Sequence, residues 1–287
     1  MRPFHLILVF VVLLSILGAG TRVKAADDDA ATLAQQAIAA AQKGDLPQAI
    51  TLATRVVELE PKQTRGWLLR GRLYDRQHEL AKAAADFSSA IKLDPELAEA
   101  WEERGEAWFK AGKFAEALTD FDAYLRLMPE QKPYHWQRGI ALYYAGRFAD
   151  GKRQFELHQT VNKHDVENAV WHFLCTARAE GLEAARKQLI PIDNDPRVPM
   201  AKVHELFAGK AKPKDVLAVA RTVPAKSAAG EPLFYAHLYL GIYFEATGDT
   251  KQAREFILKA AERAKENGYM GDVARVHAEL LRSKTPR

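Results

Sequence analysis

Apolar and small residues recur along the first half of the chain with a period of 34. Leu80, Phe114 and Phe148 keep that spacing, and so do Phe87, Phe121 and Phe155. Gly71, Gly105 and Gly139 are in step, as are Pro61, Pro95 and Pro129. Trp67 and Trp101 are followed 34 residues on by His135, with Trp136 beside it. Small residues recur at Ala83, Ala117 and Gly151, and Ala90 is matched by the larger Tyr124. The pattern predicts paired antiparallel helices, A and B, repeated along the chain. Glycine at the eighth position and alanine at the twentieth let the two backbones approach closely. Large residues at the fourth, eleventh and twenty-fourth positions fill the space around that contact. Proline ends helix B, because it lacks the N–H and clashes with the preceding turn. One pair cannot bury its apolar face alone, so neighbours must stack.

These residues resemble the tetratricopeptide repeat (TPR). The expected fold is therefore all-α: a TPR superhelix, a right-handed α-solenoid of antiparallel helix pairs, with an irregular helical segment and a C-terminal capping helix. Four repeats are read at about 30–63, 64–97, 98–131 and 132–163, giving a domain over 26–163. The first is weaker, with Leu33 in place of tryptophan, as suits a terminal cap.

The pattern loosens afterwards. Trp171 restarts a degenerate repeat at about 166–189, with Ala184 and Ala185 in its second helix. Pro191, Asp193, Asn194, Asp195, Pro196 and Pro199 then break it. Short helices are expected near 199–208 and 213–223, the second opening on Pro213, and a loop at 224–231. Together 164–231 form the irregular segment. A full repeat returns at about 234–267 on Leu240, Gly241, Phe244, Gly248, Ala253, Ile257 and Ala260, and a last helix at 270–283 covers it, closing a domain over 232–287.

The first 25 residues have a different character. Arg2 precedes an apolar run from Leu6 to Leu17, interrupted only by Ser15, and Val23-Lys24-Ala25 places small residues at −3 and −1 of a cleavage site. This is the pattern of a cleaved secretory signal at 1–25. The run is short for a membrane-spanning helix, which needs about 20 apolar residues; an uncleaved N-terminal anchor is the other reading. Leu17-Gly18-Ala19 resembles the start of a bacterial lipobox, but Gly20 stands where the lipid-bearing cysteine belongs. A soluble periplasmic or secreted protein is expected, with no integral span once the signal is removed.

Composition trims the function classes. Hydrophobic residues at 48% and charged residues at 27% mark a globular chain. The formal charge of +4 falls to +1 when Arg2, Arg22 and Lys24 leave with the signal, so there is no electrostatic case for a nucleic-acid partner. The single cysteine, Cys175, excludes an intramolecular disulfide and any zinc site needing two cysteines. No Gly-rich phosphate loop, HExxH or GxSxG occurs. No cofactor, catalytic residue or resident metal is assigned, and the chain is read as a non-enzyme.

The inner face of a TPR array is lined by particular helix A positions, and carrying that rule over gives a candidate groove. Repeat two offers Arg65, Arg72 and Arg76, with Asp75. Repeat three offers Glu99, Glu102 and Glu106, with Glu103, Phe109 and Lys110. Repeat four offers Trp136, Tyr143 and Tyr144, with Gln137 and Ile140. The groove should run from a basic end through an acidic band to an aromatic end, where the large rings act as anchors. The opposing readings are that Trp136 and one tyrosine pack against the next repeat, and that the charges only solvate a helix face. The Lys/Asn pattern that clamps a peptide carboxylate is absent, which disfavours a chaperone-tail ligand.

The layout also resembles the NlpI-type periplasmic TPR lipoproteins, on Tyr134 to Phe155, on Phe234-Tyr235 with Tyr239 to Tyr243, and on Val276 to Leu281. That resemblance implies an adaptor for a protein or peptide ligand, such as an envelope protease or cell-wall hydrolase, working as a homodimer. Two other readings stay open. One is a metal-binding or enzymatic protein using His158, His164, His172, Cys175 and His204, since His172 and Cys175 share a helical spacing of three. The other is a purely structural homo-oligomeric scaffold.

Overall fold

The computed structural model describes residues 29–223 and 231–283. The expected signal at 1–25 and nearly all of the expected loop at 224–231 lie outside the described residues. Fifteen α-helices and two short 3-10 turns make up the described chain, and no strand occurs among these residues.

The first eight helices form four antiparallel pairs: α1 (Ala30–Gln42) with α2 (Leu46–Leu59), α3 (Thr64–Arg76) with α4 (Leu80–Leu93), α5 (Ala98–Lys110) with α6 (Phe114–Leu127), and α7 (Trp136–Tyr144) with α8 (Phe148–Gln159). The glycines of each A helix set the pair distance. A Cβ on Gly71, Gly105 or Gly139 would stand 2.6, 2.7 or 2.6 Å from the ring of Phe87, Phe121 or Phe155. Those rings are fully buried and cannot swing away.

A polar ladder runs through the same pairs. Arg70 grips Asp86 with two hydrogen bonds of 2.7 and 2.8 Å, and Arg104 grips Asp120 with two of 2.7 Å. Each guanidinium also reaches back to the preceding B helix, Arg70 to Thr54 and Arg104 to Ser88. One arginine thus ties its own helix pair to the pair before it. The ladder changes at repeat four. Gln154 stands where the aspartate would be, and Arg138 turns back to Asp122 at 2.7 Å.

Indole nitrogens add a second period. Trp67 and Trp101 donate to the carbonyls of Pro61 and Pro95, pinning each A helix to the turn before it. In the fourth repeat that place belongs to His135, which is buried and caps α7 by accepting from the Arg138 N–H. Burial pushes its pKa down to about 4, so the ring is neutral.

Beyond residue 160, α9 (Val166–Glu180) is buried nearly all round and packs on α8. A short α10 (Leu182–Lys187) turns back along it, followed by α11 (Met200–Phe207) and α12 (Pro213–Ala220). The proline-rich stretch is held by Arg197, which meets Asp165, Glu167 and Asp195, while Tyr239 donates to Glu167 at 2.9 Å. A last pair, α13 (Pro232–Ala246) and α14 (Thr250–Glu262), precedes the terminal α15 (Gly268–Ser283). Helix α15 packs on α14 and also reaches α5 of the third repeat. None of the described helices is long and apolar enough to cross a membrane.

Candidate functional site

The A helices α1, α3 and α5 lie side by side along the inner face, and α15 enters that face from the other end of the array. Where α15 lies decides which predicted groove residues are open.

At the aromatic end the expected anchors Trp136, Tyr143 and Tyr144 pack largely against the chain's own helices. Tyr269 of α15 stacks on Phe109 with ring centres 5.2 Å apart and takes the edge of Trp136 at 5.1 Å. Tyr144 donates its hydroxyl toward Nδ1 of His277, or accepts from it, at 2.9 Å, and stacks on Phe114 at 5.2 Å. The other nitrogen of His277 meets Glu245 of α13 at 2.9 Å. Tyr143 is buried against Trp171 and Phe148. Burial drives both tyrosine hydroxyls well above their usual range, so they are neutral. The physical reason is burial of aromatic area: α15 carries its own ring into the cluster and covers what a partner would otherwise meet. A pocket of about 260 Å³ remains beside Tyr143, Tyr144, Glu245 and His277.

The basic end also differs from its expectation. Arg65 pairs with Glu60 at the foot of its own helix. Arg76 donates to the Ala41 carbonyl at 3.2 Å. Arg72 bridges to the next repeat, meeting Glu99 at 2.9 Å and Glu103 at 2.6 Å. Arg65 and Arg72 are thus matched by carboxylates, while Arg76 keeps its charge beside the hollow between α3 and α5. Sequence position alone grouped them by repeat, whereas the inner face brings α3 and α5 into direct contact.

What stays open is the hollow between α3 and α5. It holds about 290 Å³ and is lined by Arg72, Asp75, Arg76, Glu103, Glu106 and Lys110 with Phe87. Lys110 meets Asp75 at 2.7 Å and Asp272 of α15 at 4.0 Å. Glu106 is largely buried in this hollow. Burial raises its pKa to about 7; Lys110 lowers it, while Glu102, Asp75 and Asp272 raise it further. Burial also raises Glu102 and Glu103, the latter against the pull of Arg72. Among the described residues neither Glu102 nor Glu106 has an ion-pair partner.

A larger hollow, about 480 Å³, lies on the outer side between α6 and α8, ringed by Arg126, Lys132, Arg138 and Arg153 with Asp122 and Asp150. Arg138 pairs there with Asp122, and both Arg147 and Arg153 with Asp150, so both acids of the ring are matched. It has the volume without the buried, unmatched charge of the inner hollow.

The histidines and cysteine of the middle region do not converge. Cys175 is fully buried with its Sγ against Gly151, where a Cβ would stand 2.7 Å away, and burial pushes its thiol well up. His172 is buried, 3.5 Å from Glu156. His158 and His204 bond the carbonyls of Pro133 and Ile190 at 2.8 and 2.9 Å. Among the described residues no group of three or more His, Cys, Asp or Glu side chains is placed to hold a metal.

The repeated pairs, the glycine–phenylalanine contacts and the inner groove define an α-solenoid. Its repeats over residues 34–98 and 68–133 match the tetratricopeptide repeat model, and the fold is the TPR superhelix. No curated protein matches the chain. Among solved structures, a tetratricopeptide repeat protein from Parabacteroides merdae ATCC 43184 is 19% identical with a TM-score of 0.59, covering 88% of this chain and 98% of that one. MamA is 16% identical with a TM-score of 0.53, covering 64% of this chain and 95% of that one. The MamA fragment from residue 41, from Desulfovibrio magneticus RS-1, is 13% identical with a TM-score of 0.51, covering 68% and 97%. At these identities the likeness concerns the fold.

Proposed function

We propose that the protein is an exported scaffold that holds a peptide segment of another protein in the inner groove of its repeats and carries out no catalysis of its own. The observation that carries this reading is the hollow between α3 and α5, where Glu106, with no ion-pair partner among the described residues, is largely buried and Glu102, likewise unpaired, lies one turn away on α5. Leaving charge unmatched costs stability unless something comes to match it. The fold supports it too, since helical repeats present extended concave surfaces for binding.

Export rests on the apolar run and cleavage pattern of residues 1–25. An envelope protease or cell-wall hydrolase as partner rests on the NlpI-type layout. The buried thiol of Cys175 and the dispersed His158, His172 and His204 weigh against the enzymatic reading.

The test is selection from a displayed random-peptide library, with binders re-measured against an Arg72→Ala, Glu103→Ala variant. Selected peptides that bind the parent and lose affinity for the variant support the reading. A library that yields no binder, or only binders indifferent to the variant, contradicts it.

A further inference from the structure

The ion pairs around the inner hollow leave a specific remainder. Arg72 is matched by Glu99 and Glu103, Lys110 by Asp75, and Arg275 by Asp272. Arg76, which also lines the hollow, donates to a backbone carbonyl and has no carboxylate partner among the described residues. Glu102 and Glu106 are left over. They lie four residues apart, on one face of α5 and one turn from each other. Glu106 points into the hollow and is largely buried there, with no hydrogen bond or ion pair among the described residues. An exposed surplus of glutamates would only solvate a helix. A buried carboxylate aimed into a cavity is different, because its desolvation is offset only when a cation or donor arrives.

We propose that this hollow receives a lysine or arginine side chain from a basic segment of the partner, with Glu106 as its principal counter-ion and Glu102 as the second. The proposal rests on the groove-binding reading above and names the chemistry of the segment bound. The geometry favours one cationic side chain. About 290 Å³ between two helices admits an ammonium or guanidinium with its stem. The existing pairs Arg72–Glu103 and Lys110–Asp75 flank the hollow, so the charges on either side of Glu106 are already matched and Glu106 itself is the carboxylate left for a guest.

The groups facing Glu106 are Lys110 and Glu102 on its own helix, Asp75, Arg72 and Arg76 on α3, and Asp272 and Tyr269 on α15. Burial, helped by Glu102, Asp75 and Asp272, outweighs the pull of Lys110, so a neutral Glu106 is favoured until a cation enters. Binding should then expel the proton. Affinity for the cation rises as pH increases from 6 to 8, where the free carboxyl ionises, and binding near pH 6.5 releases protons to the buffer.

The experiment is calorimetric titration of the purified protein with octalysine, at pH 6 and pH 8 and in two buffers of different ionisation enthalpy, with octaglutamate as control. The expected result is binding of octalysine and not octaglutamate, tighter at pH 8, with proton release near pH 6.5. Glu106→Gln should weaken octalysine binding by about tenfold and remove both the pH dependence and the proton release. Glu116→Gln, on the exposed start of α6, should leave them unchanged. Glu102→Gln gives a second reading, a smaller loss of affinity, and serves if Glu106→Gln does not fold. Octalysine binding that is equal in Glu106→Gln, Glu102→Gln and the parent overturns the proposal, because the attraction is then spread over the surface. Absence of octalysine binding overturns it as well. Library peptides that depend on Arg72 and Glu103 but carry no lysine or arginine would overturn this inference and leave the groove-binding reading standing.

Discussion

Glu106 shows at the scale of one residue how a binding site costs stability. Its folded-state pKa, about 7, lies above the ordinary 4.5. The folded protein therefore holds a proton that the unfolded chain releases. Stability conferred by that proton is complete below pH 4.5 and is lost as pH rises toward 7. Glu167, buried beside Arg197 and bonded by Tyr239, is raised to about 7 and acts in the same direction. Glu106→Gln should raise stability at pH 8 by on the order of 1–3 kcal/mol and leave it nearly unchanged at pH 4. Thermal melts at the two pH values check this. An unchanged melting temperature at pH 8 would mean that Glu106 is solvated, and the inner hollow would lose its central group. The glutamates were legible as a type and a spacing along the sequence. Which of them would find a partner was not, because Arg72 reaches Glu99 and Glu103 from 27 and 31 residues away.

Helices are held to one another by two devices of unequal strength, and the element scale separates them. The Arg104–Asp120 pair links α5 to α6 and is nearly closed to solvent, with 18% and 3% of the two side chains exposed. Arg138–Asp122 has the same bond length, but the aspartate is 48% exposed. Asp120→Ala should cost about 3 kcal/mol, because it strands a buried guanidinium. Asp122→Ala should cost less than about 1 kcal/mol. Urea unfolding distinguishes the two, and equal losses would show that the ladder is decorative. The second device is ring packing by α15. Tyr269 stacks on Phe109 and meets Trp136, yet its own hydroxyl is buried without a partner. Tyr269→Phe should be neutral or mildly stabilising, since it removes an unsatisfied polar group. Tyr269→Ala should cost about 3 kcal/mol. A large loss in both would mean that the hydroxyl has a role the packing does not require. The ladder was readable: arginines at 70, 104 and 138 and aspartates at 86 and 120 carry the same period as the glycines. The period of the apolar residues drew attention instead.

The whole molecule is an open solenoid at one end and a covered one at the other. Its helix pairs were legible because each repeat solves the same packing problem with the same residues, so the answer is written several times. The docking of α15 is written once. Tyr144 and His277 meet across 133 positions of sequence, and no periodic signal announces a contact made a single time. Trp136 misled for a related reason. The tryptophan phase of repeats two and three passes to His135, and the extra indole beside it turns to Tyr269. Consequently the groove has an end sealed by the chain itself and a polar stretch over repeats two and three that is free to bind. A partner peptide should lie across α3 and α5 and leave α15 in place.

Hydrogen exchange with a library-selected peptide bound tests that claim most directly. The account predicts slowed exchange over 65–76 and 98–110, with little change over 136–144 and 268–283. Protection concentrated at 136–144, together with faster exchange over 268–283, would contradict it. Such a result would mean that the partner displaces α15 and binds the aromatic end.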